Sequence, residues 1–416
     1  MIKFEPILKS LKEILQSKKH FSYALSETSK FYSLNDKEKE ELKASVVSIL
    51  KNYQKLSYEA SYLFPLLLSD CDELLLTMIT IKFIRDNNDL KKVHSAFISS
   101  CSSFRLSPDI QNSFDKIEAK AKKNFFIEER VKYDPVMYNS LQLELPSFFL
   151  KKLQNEYTKD QILFLAKKLH RCELFYFLPN LHKKDYKSSL KQINIAGIDT
   201  YYSSSNKEAK LDIEKGNLYP ISNVELRAYS SLTKLNYMPN ILIAGIRKTF
   251  SGYYFDIALD KLNPKITCVV DNSNVLNTSN EIAKIYNLKN TTFLPSSFKL
   301  LKTYLASNSF DLTIYKGSCL HIGLSSIHPS ILPSLSELDF EISSEKQLNE
   351  MITISDFVNK NGYLLFMNYS ITKDENINIV RSFLNRKKDF ELVIDERVVL
   401  IEDEPFIGYY ALLKKK

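Results

Sequence analysis

All eight glycines of this 416-residue chain lie at or after Gly197. Glycine destabilises helix interiors and serves strand-to-helix turns, so a glycine-free first half followed by a glycine-bearing second half predicts a helical region and then an α/β region. Length agrees: at roughly 100 to 200 residues per domain, the chain should hold two or three domains.

Hydrophobic periodicity fills in that division. Ile2, Phe4, Ile7, Leu8, Leu11, Ile14 and Leu15 recur at helical spacing, building one apolar stripe. A second helix is expected from Asn35-Asp36, where a cap residue and the acidic Glu38, Glu40 and Glu41 precede Leu42, Val46, Ile49 and Leu50. Further helical patterns at 56–69, 72–86, 88–100 and 108–126 complete a bundle of six or seven helices over 1–132. The stretch 133–234 mixes a helix, Pro146 to Leu169, with strand-like runs at Leu174–Leu178 and Ile198–Tyr202, and reads as a small α+β domain. From 235 to 416, apolar strands at Ile241–Ala244, Lys265–Asp271, Thr291–Leu294, Leu312–Tyr315 and Gly362–Met367 alternate with helical segments. Glu391–Glu402 and Tyr409–Leu413 follow, so the pattern implies parallel βαβ units closed by antiparallel strands. The class is therefore multidomain, α followed by α/β.

Composition excludes several alternatives. Apolar runs such as Leu74 to Ile84 are too short or interrupted to span a bilayer, and Glu5 and Pro6 interrupt the apolar stretch that a secretory signal would need. A cytoplasmic protein without a membrane anchor is expected. Cys71, Cys101, Cys172, Cys268 and Cys319 form no CxxC pair or Cys/His cluster, which argues for reduced thiols and against a disulfide scaffold or a metal site. His321 and His328 likewise have no ligand partners at metal-binding spacing. The net charge of +8 favours a polyanionic partner, yet it also suits proteins that never touch nucleic acid. Lys116, Lys120, Lys122 and Lys123 are accordingly candidate RNA contacts or a solvated helix face.

Two segments are more specific. The first runs Phe310-Asp311-Leu312-Thr313-Ile314-Tyr315-Lys316-Gly317-Ser318-Cys319-Leu320-His321-Ile322-Gly323, with His328-Pro329 after it. The second runs Val358-Asn359-Lys360-Asn361-Gly362-Tyr363-Leu364-Leu365-Phe366-Met367-Asn368-Tyr369-Ser370, followed by Asp374-Glu375-Asn376 and Phe383-Leu384. They resemble the FDxxLLDAPCSGxG and VKPGGxLVYSTCS motifs of the Sun/Fmu-type (RsmB/NOP) 16S rRNA cytosine-C5 methyltransferases. Phe406-Ile407-Gly408-Tyr409-Tyr410-Ala411 resembles that family's DGFFxA ending, and Glu144-Leu145-Pro146-Ser147-Phe148 its entry into the middle domain. The resemblance implies an N-terminal NusB-like RNA-binding bundle, a middle α+β domain and a C-terminal Rossmann-like class I methyltransferase domain using S-adenosylmethionine.

Methylation at cytosine C5 needs a nucleophile at C6, support at N3 and an electrophilic methyl in line with C5. In the family these protein roles fall to the TCS cysteine and the DAPC aspartate, and the PC cysteine assists breakdown of the adduct. This chain has Tyr369 at the nucleophile position, Lys316 at the acid position and Cys319 as the retained motif cysteine. A phenol, with an ordinary pKa near 10, is a poor substitute for a thiol, and a lysine cannot supply carboxyl chemistry, although it could contact phosphate. Tyr369 could instead fill the emptied pocket, and Cys319 could be a small buried hydrophobe.

The cofactor loop departs as well. Ile243-Ala244-Gly245-Ile246-Arg247-Lys248-Thr249-Phe250-Ser251-Gly252 stands where the family has a glycine-rich turn, placing cations near the site of a cationic sulfonium. Ala244, Gly245 and Asp271 remain as cofactor-binding candidates. Asp271 ends a strand where this fold holds ribose hydroxyls, though such an aspartate also serves as a turn or cap residue. The family's acidic GDA position falls near Ser296-Ser297.

The expectation is a monomeric, non-catalytic RNA-binding protein acting on or with the small ribosomal subunit, its S-adenosylmethionine site impaired. Lys120, Lys122, Lys123 and Lys316 are its candidate RNA contacts. The alternatives are an active enzyme with Cys319 as nucleophile, and a protein-interaction module.

Overall fold

The computed structural model describes residues 3–64, 71–87, 89–123, 125, 127–171, 174–183, 186–232, 235, 238–246, 254–256, 264–271, 273–399 and 406–416. They divide into two compact units, Met1–His170 with Ser325–Ser336, and Arg171–Leu324 with Glu337–Lys416.

The first unit is helical. Through Ala121 the described residues contain helices Phe4–Leu15, Phe21–Phe31, Asp36–Lys51, Tyr53–Leu63, Cys71–Asp86, Leu90–Ser103 and Phe114–Ala121, besides shorter turns. The Asn35 start is a reciprocal cap: its side chain accepts from the Glu38 N–H while Glu38 accepts from the Asn35 N–H, both at 3.0 Å. Phe4, Leu8, Leu11, Val46, Ile49, Leu75, Ile79 and Phe97 are fully buried in one core. The helix expected across Pro146–Leu169 is two, Ser147–Gln154 and Lys159–His170. The break has a local cause, because Thr158 and Gln161 cap the second helix reciprocally, at 2.9 and 3.4 Å. Helix Pro135–Leu143, started by Asp134 and a proline in its first turn, has no counterpart in the periodicity reading.

Ser325–Ser336, with the His328-Pro329 dipeptide, folds as part of this unit. The Ser325 hydroxyl donates to the Leu169 carbonyl at 3.0 Å, and the His328 ring meets His20 edge-on at 5.6 Å.

The second unit holds two sheets. Strands β1 (Phe175–Pro179), β2 (Lys191–Ile195), β3 (Ile198–Ser203) and β4 (Leu218–Ile221) pair antiparallel in the order β2-β3-β1-β4. Strands β5 (Asn240–Ile246), β6 (Lys265–Val270), β7 (Thr291–Pro295), β8 (Phe310–Lys316), β9 (Val358–Asn368), β10 (Phe390–Val398) and β11 (Gly408–Lys415) form the larger sheet, ordered β10-β11-β9-β8-β5-β6-β7. β5 through β9 pair in parallel, and β10 and β11 antiparallel. This is the expected alternation, with a Rossmann-like core and a reversed edge. The order reverses beside β5, which opens a crevice at the carboxyl ends of its neighbours.

Gly245, at φ +85, is required by packing: a Cβ there would meet the Lys316 carbonyl oxygen at 2.0 Å. It joins β5 tightly to the end of β8. Gly323 is similarly confined, since a Cβ would lie 1.8 Å from the Ile407 carbonyl oxygen.

No helix of the described residues is long and apolar enough to cross a membrane. The described cysteines, Cys71, Cys101, Cys268 and Cys319, are free thiols; Cys172 lies outside the described residues.

Candidate functional site

The ends of β8 and β9 bring the motif residues together. Lys316 ends β8, Cys319 follows in the next loop, and Tyr369 follows the last residue of β9. The Tyr369 N–H donates to the Cys319 Sγ at 3.4 Å, and His321 Nδ1 lies 3.4 Å from the same sulfur. The Cys319 side chain is buried.

A fourth element completes the group. Ser222 caps helix Asn223–Leu232: its hydroxyl accepts from the Glu225 N–H at 3.1 Å, and the Glu225 carboxylate accepts from the Ser222 N–H at 3.2 Å. That carboxylate also accepts from the Tyr369 hydroxyl at 3.2 Å, the Ser222 hydroxyl at 3.1 Å and the Lys316 ammonium, with which it forms an ion pair. The Lys316 and Glu225 side chains are only 13% and 11% exposed.

This convergence sets the chemistry of each member. Burial pushes Glu225 upward, but the adjoining Lys316 charge and the Ser222 donors more than offset it and hold the carboxyl below its ordinary range. Burial and the Glu225 charge both push the Tyr369 phenol well above its ordinary value. Neither Tyr369 nor Lys316 is therefore presented as a reactive base: the phenol is held neutral, and the ammonium is neutralised by its partner.

Glu375 fastens the cysteine loop. One carboxylate oxygen accepts from the Leu320 N–H at 2.9 Å, the Ser343 hydroxyl at 2.5 Å and the Gln347 amide at 3.1 Å, while burial raises its pKa. Asn368, just before Tyr369, donates to the Glu375 carbonyl at 2.6 Å.

A cleft of about 570 Å³ opens at the strand ends, lined by Gly245, Val269, Asp271, Ser296, Phe298 and Glu350 among others. Asp271, the residue after β6, can accept from ribose hydroxyls, and Val269 and Phe298 offer apolar walls to an adenine ring. These residues fit the adenosine half of S-adenosylmethionine. Glu350 is oriented in the cleft by the Tyr315 and Ser318 hydroxyls, at 2.5 and 2.9 Å. Ala244 is fully buried within β5, so it reaches a ligand only through its neighbours. The altered turn from Arg247 to Gly252 lies outside the described residues.

The basic candidates of the first unit are dispersed in role. Lys120 sits over the Tyr62 ring at 4.2 Å, Lys122 pairs with Glu118, and Lys123 is exposed.

Glu225 and Ser222 escaped the sequence reading because they precede the α/β pattern and belong to no recognised motif. A signal was present: Ser222-Asn223-Val224-Glu225 before Leu226 is a capping-box pattern. It announces a helix start, while nothing in it tells that the same carboxylate faces a lysine 91 residues away.

Residues 257–401 match the family model described as 16S rRNA methyltransferase RsmB/F. No curated protein matches the chain by sequence. Among solved structures, PH0851 superposes with a TM-score of 0.75 at 16% identity, covering 100% of this chain and 99% of that one. A methyltransferase homologue from Pyrococcus horikoshii gives a TM-score of 0.53 at 15% identity, covering 68% of this chain and 99% of its own. The Lys316, Cys319 and Tyr369 cluster thus lies inside a region matching an RsmB/F methyltransferase domain, in a chain whose fold resembles PH0851 from end to end.

Proposed function

We propose that this chain is an RNA-binding protein derived from an S-adenosylmethionine-dependent rRNA cytosine-C5 methyltransferase, acting with the small ribosomal subunit in the cytoplasm, as a monomer and without methyl transfer. Its working parts are a NusB-like RNA-binding bundle at 1–132, a middle domain at 133–234 and a methyltransferase-like domain at 235–416. One observation carries the reading. The groups standing where the family resemblance puts nucleophile and acid, Tyr369 and Lys316, are both bound to Glu225.

A ligand's electrophilic methyl is what S-adenosylmethionine would supply when bound. On the protein's side, Asp271 would take the ribose hydroxyls, but no described group at position 369 can add to a base. Arg247, Lys248 and Phe250 stand in the sequence where the family motif has a glycine-rich turn, and their charge and bulk argue against tight cofactor binding. RNA is held through lysines, Lys123 among them, with the net charge of +8 behind them.

A second reading is favoured by His321, whose Nδ1 is 3.4 Å from the Cys319 sulfur. An imidazole there could take the thiol proton, and the thiolate could add to cytosine C6. After methylation at C5, loss of the C5 proton would expel the thiolate.

The deciding experiment is transfer of labelled methyl to unmodified small-subunit rRNA by the wild type and Cys319→Ala, with RNA binding followed in the same samples. RNA bound steeply salt-dependently without incorporation is the expected result. Incorporation that vanishes in Cys319→Ala would establish the second reading, and absence of RNA binding would sink the first.

A further inference from the structure

The helical unit contains a groove that the methyltransferase-like site does not use. It has a volume of about 330 Å³ and lies among helices Pro135–Leu143, Ser147–Gln154 and Lys159–His170, at the small end of the range for ligand pockets. Ile162 and Leu163 give it apolar walls, and Leu163 is 47% exposed. Asn139, Gln154, Tyr157 and Lys159 also line it.

We propose that this groove is a nucleotide-binding site that takes one unpaired base of a single-stranded RNA, with Asn139 and Gln154 reading the base edge, Tyr157 offering its ring and Lys159 meeting phosphate. The inference rests on the RNA-binding reading above and adds a location and a mode to it.

The polar part of the lining selects a base over an apolar side chain from a protein. The Asn139, Gln154 and Lys159 side chains make no hydrogen bond or ion pair with any described residue, so two donor-and-acceptor amides and a cation stand unused at one groove. An apolar anchor would bury those amides without partners, which is costly. A splayed-out base satisfies them, since its edge presents both donors and acceptors, while its faces pack on Leu163 and the tyrosine ring.

The test measures binding of the full chain to a labelled single-stranded RNA oligomer of mixed sequence, and to the same RNA annealed to its complement, across a salt series. Asn139→Leu/Gln154→Leu should weaken single-stranded binding by about tenfold or more with an unchanged salt slope, because amide contacts to a base release no counterions. Lys159→Ala should weaken binding and lower the slope by about one. The duplex should bind less well and be insensitive to the double substitution. Wild-type affinity in the Leu/Leu protein overturns the proposal while leaving the RNA-binding reading intact; a wild type that binds neither RNA overturns both. Should the Leu/Leu protein melt early, Asn139→Asp/Gln154→Glu keeps the rim polar. It should repel the same RNA, and undiminished binding by it is equally fatal to the proposal.

Discussion

Glu144 in the helical unit and Glu225 in the sheet unit are two carboxylates under nearly the same cover, 10% and 11% exposed, and both accept backbone N–H groups at the start of a helix. Their acidities diverge. Glu144 takes the Gln54 N–H at 3.0 Å and the Lys55 N–H at 3.4 Å, with the Lys55 ammonium at 3.5 Å and 28% exposed. Burial prevails there, and the carboxyl is pushed up to about 7. Glu225 adds to its backbone donor two hydroxyls and a closely bound, buried ammonium, and is held low. Burial alone does not decide the charge of a carboxylate; the number of donors that arrive with their own burial does.

Removing Lys316 should produce the largest effect. Lys316→Met leaves Glu225 buried without its cation, and destabilisation of about 3 to 5 kcal/mol is expected in urea unfolding. Lys55→Met should cost about 1 kcal/mol or less, because its ammonium is more exposed. Equal losses at both sites would erase the distinction.

Glu144→Gln comes next, with the opposite sign. The folded Glu144 holds its proton above the usual 4.5, so wild-type stability falls as pH rises from about 4.5 through about 7. The amide removes that slope and should gain roughly 2 to 3 kcal/mol at pH 8. A parallel pair of stability curves for mutant and wild type would show that Glu144 is not buried as described.

Glu225 should behave as the mirror image. Its folded pKa lies below the usual 4.5, so its contribution is present above that value and lost as pH falls through the folded one. Wild type and Glu225→Gln should accordingly keep a constant difference in stability from neutral pH down to about 4.5 and converge as pH falls further. Divergence on acidification would mean that Lys316 does not hold the carboxylate charged.

The smallest change is Tyr369→Phe, which deletes one donor to Glu225 and should cost about 1 kcal/mol, with methyl transfer unaltered from its expected absence. A loss or gain of transfer activity in this variant would give the phenol a chemical role.

Much of the fold was legible because it depends on local pattern. Glycine placement, the apolar stripe from Phe4 to Ile14 and the alternation from β5 to β9 each follow from neighbours a few residues apart. The two motif segments were legible for the same reason, and they place Lys316, Cys319 and Tyr369 at adjoining strand ends. Less visible were the break at Asn155–Thr158, where a reciprocal cap overrides a continuous apolar stripe, and the attachment of Ser325–Ser336 to the helical unit, which involves Leu169 and His20 far away in sequence.

By itself, the sequence determined an α region followed by an α/β region, and put Tyr369 and Lys316 where the motif resemblance would place a thiol and a carboxylate. Tertiary structure decided what these two side chains meet. Glu225 meets Lys316 and Tyr369 only after the chain between helix Asn223–Leu232 and strands β8 and β9 has folded. Residue type and spacing report periodicity along the chain; charge state, burial and hydrogen-bond partners are properties of the space into which those residues are packed.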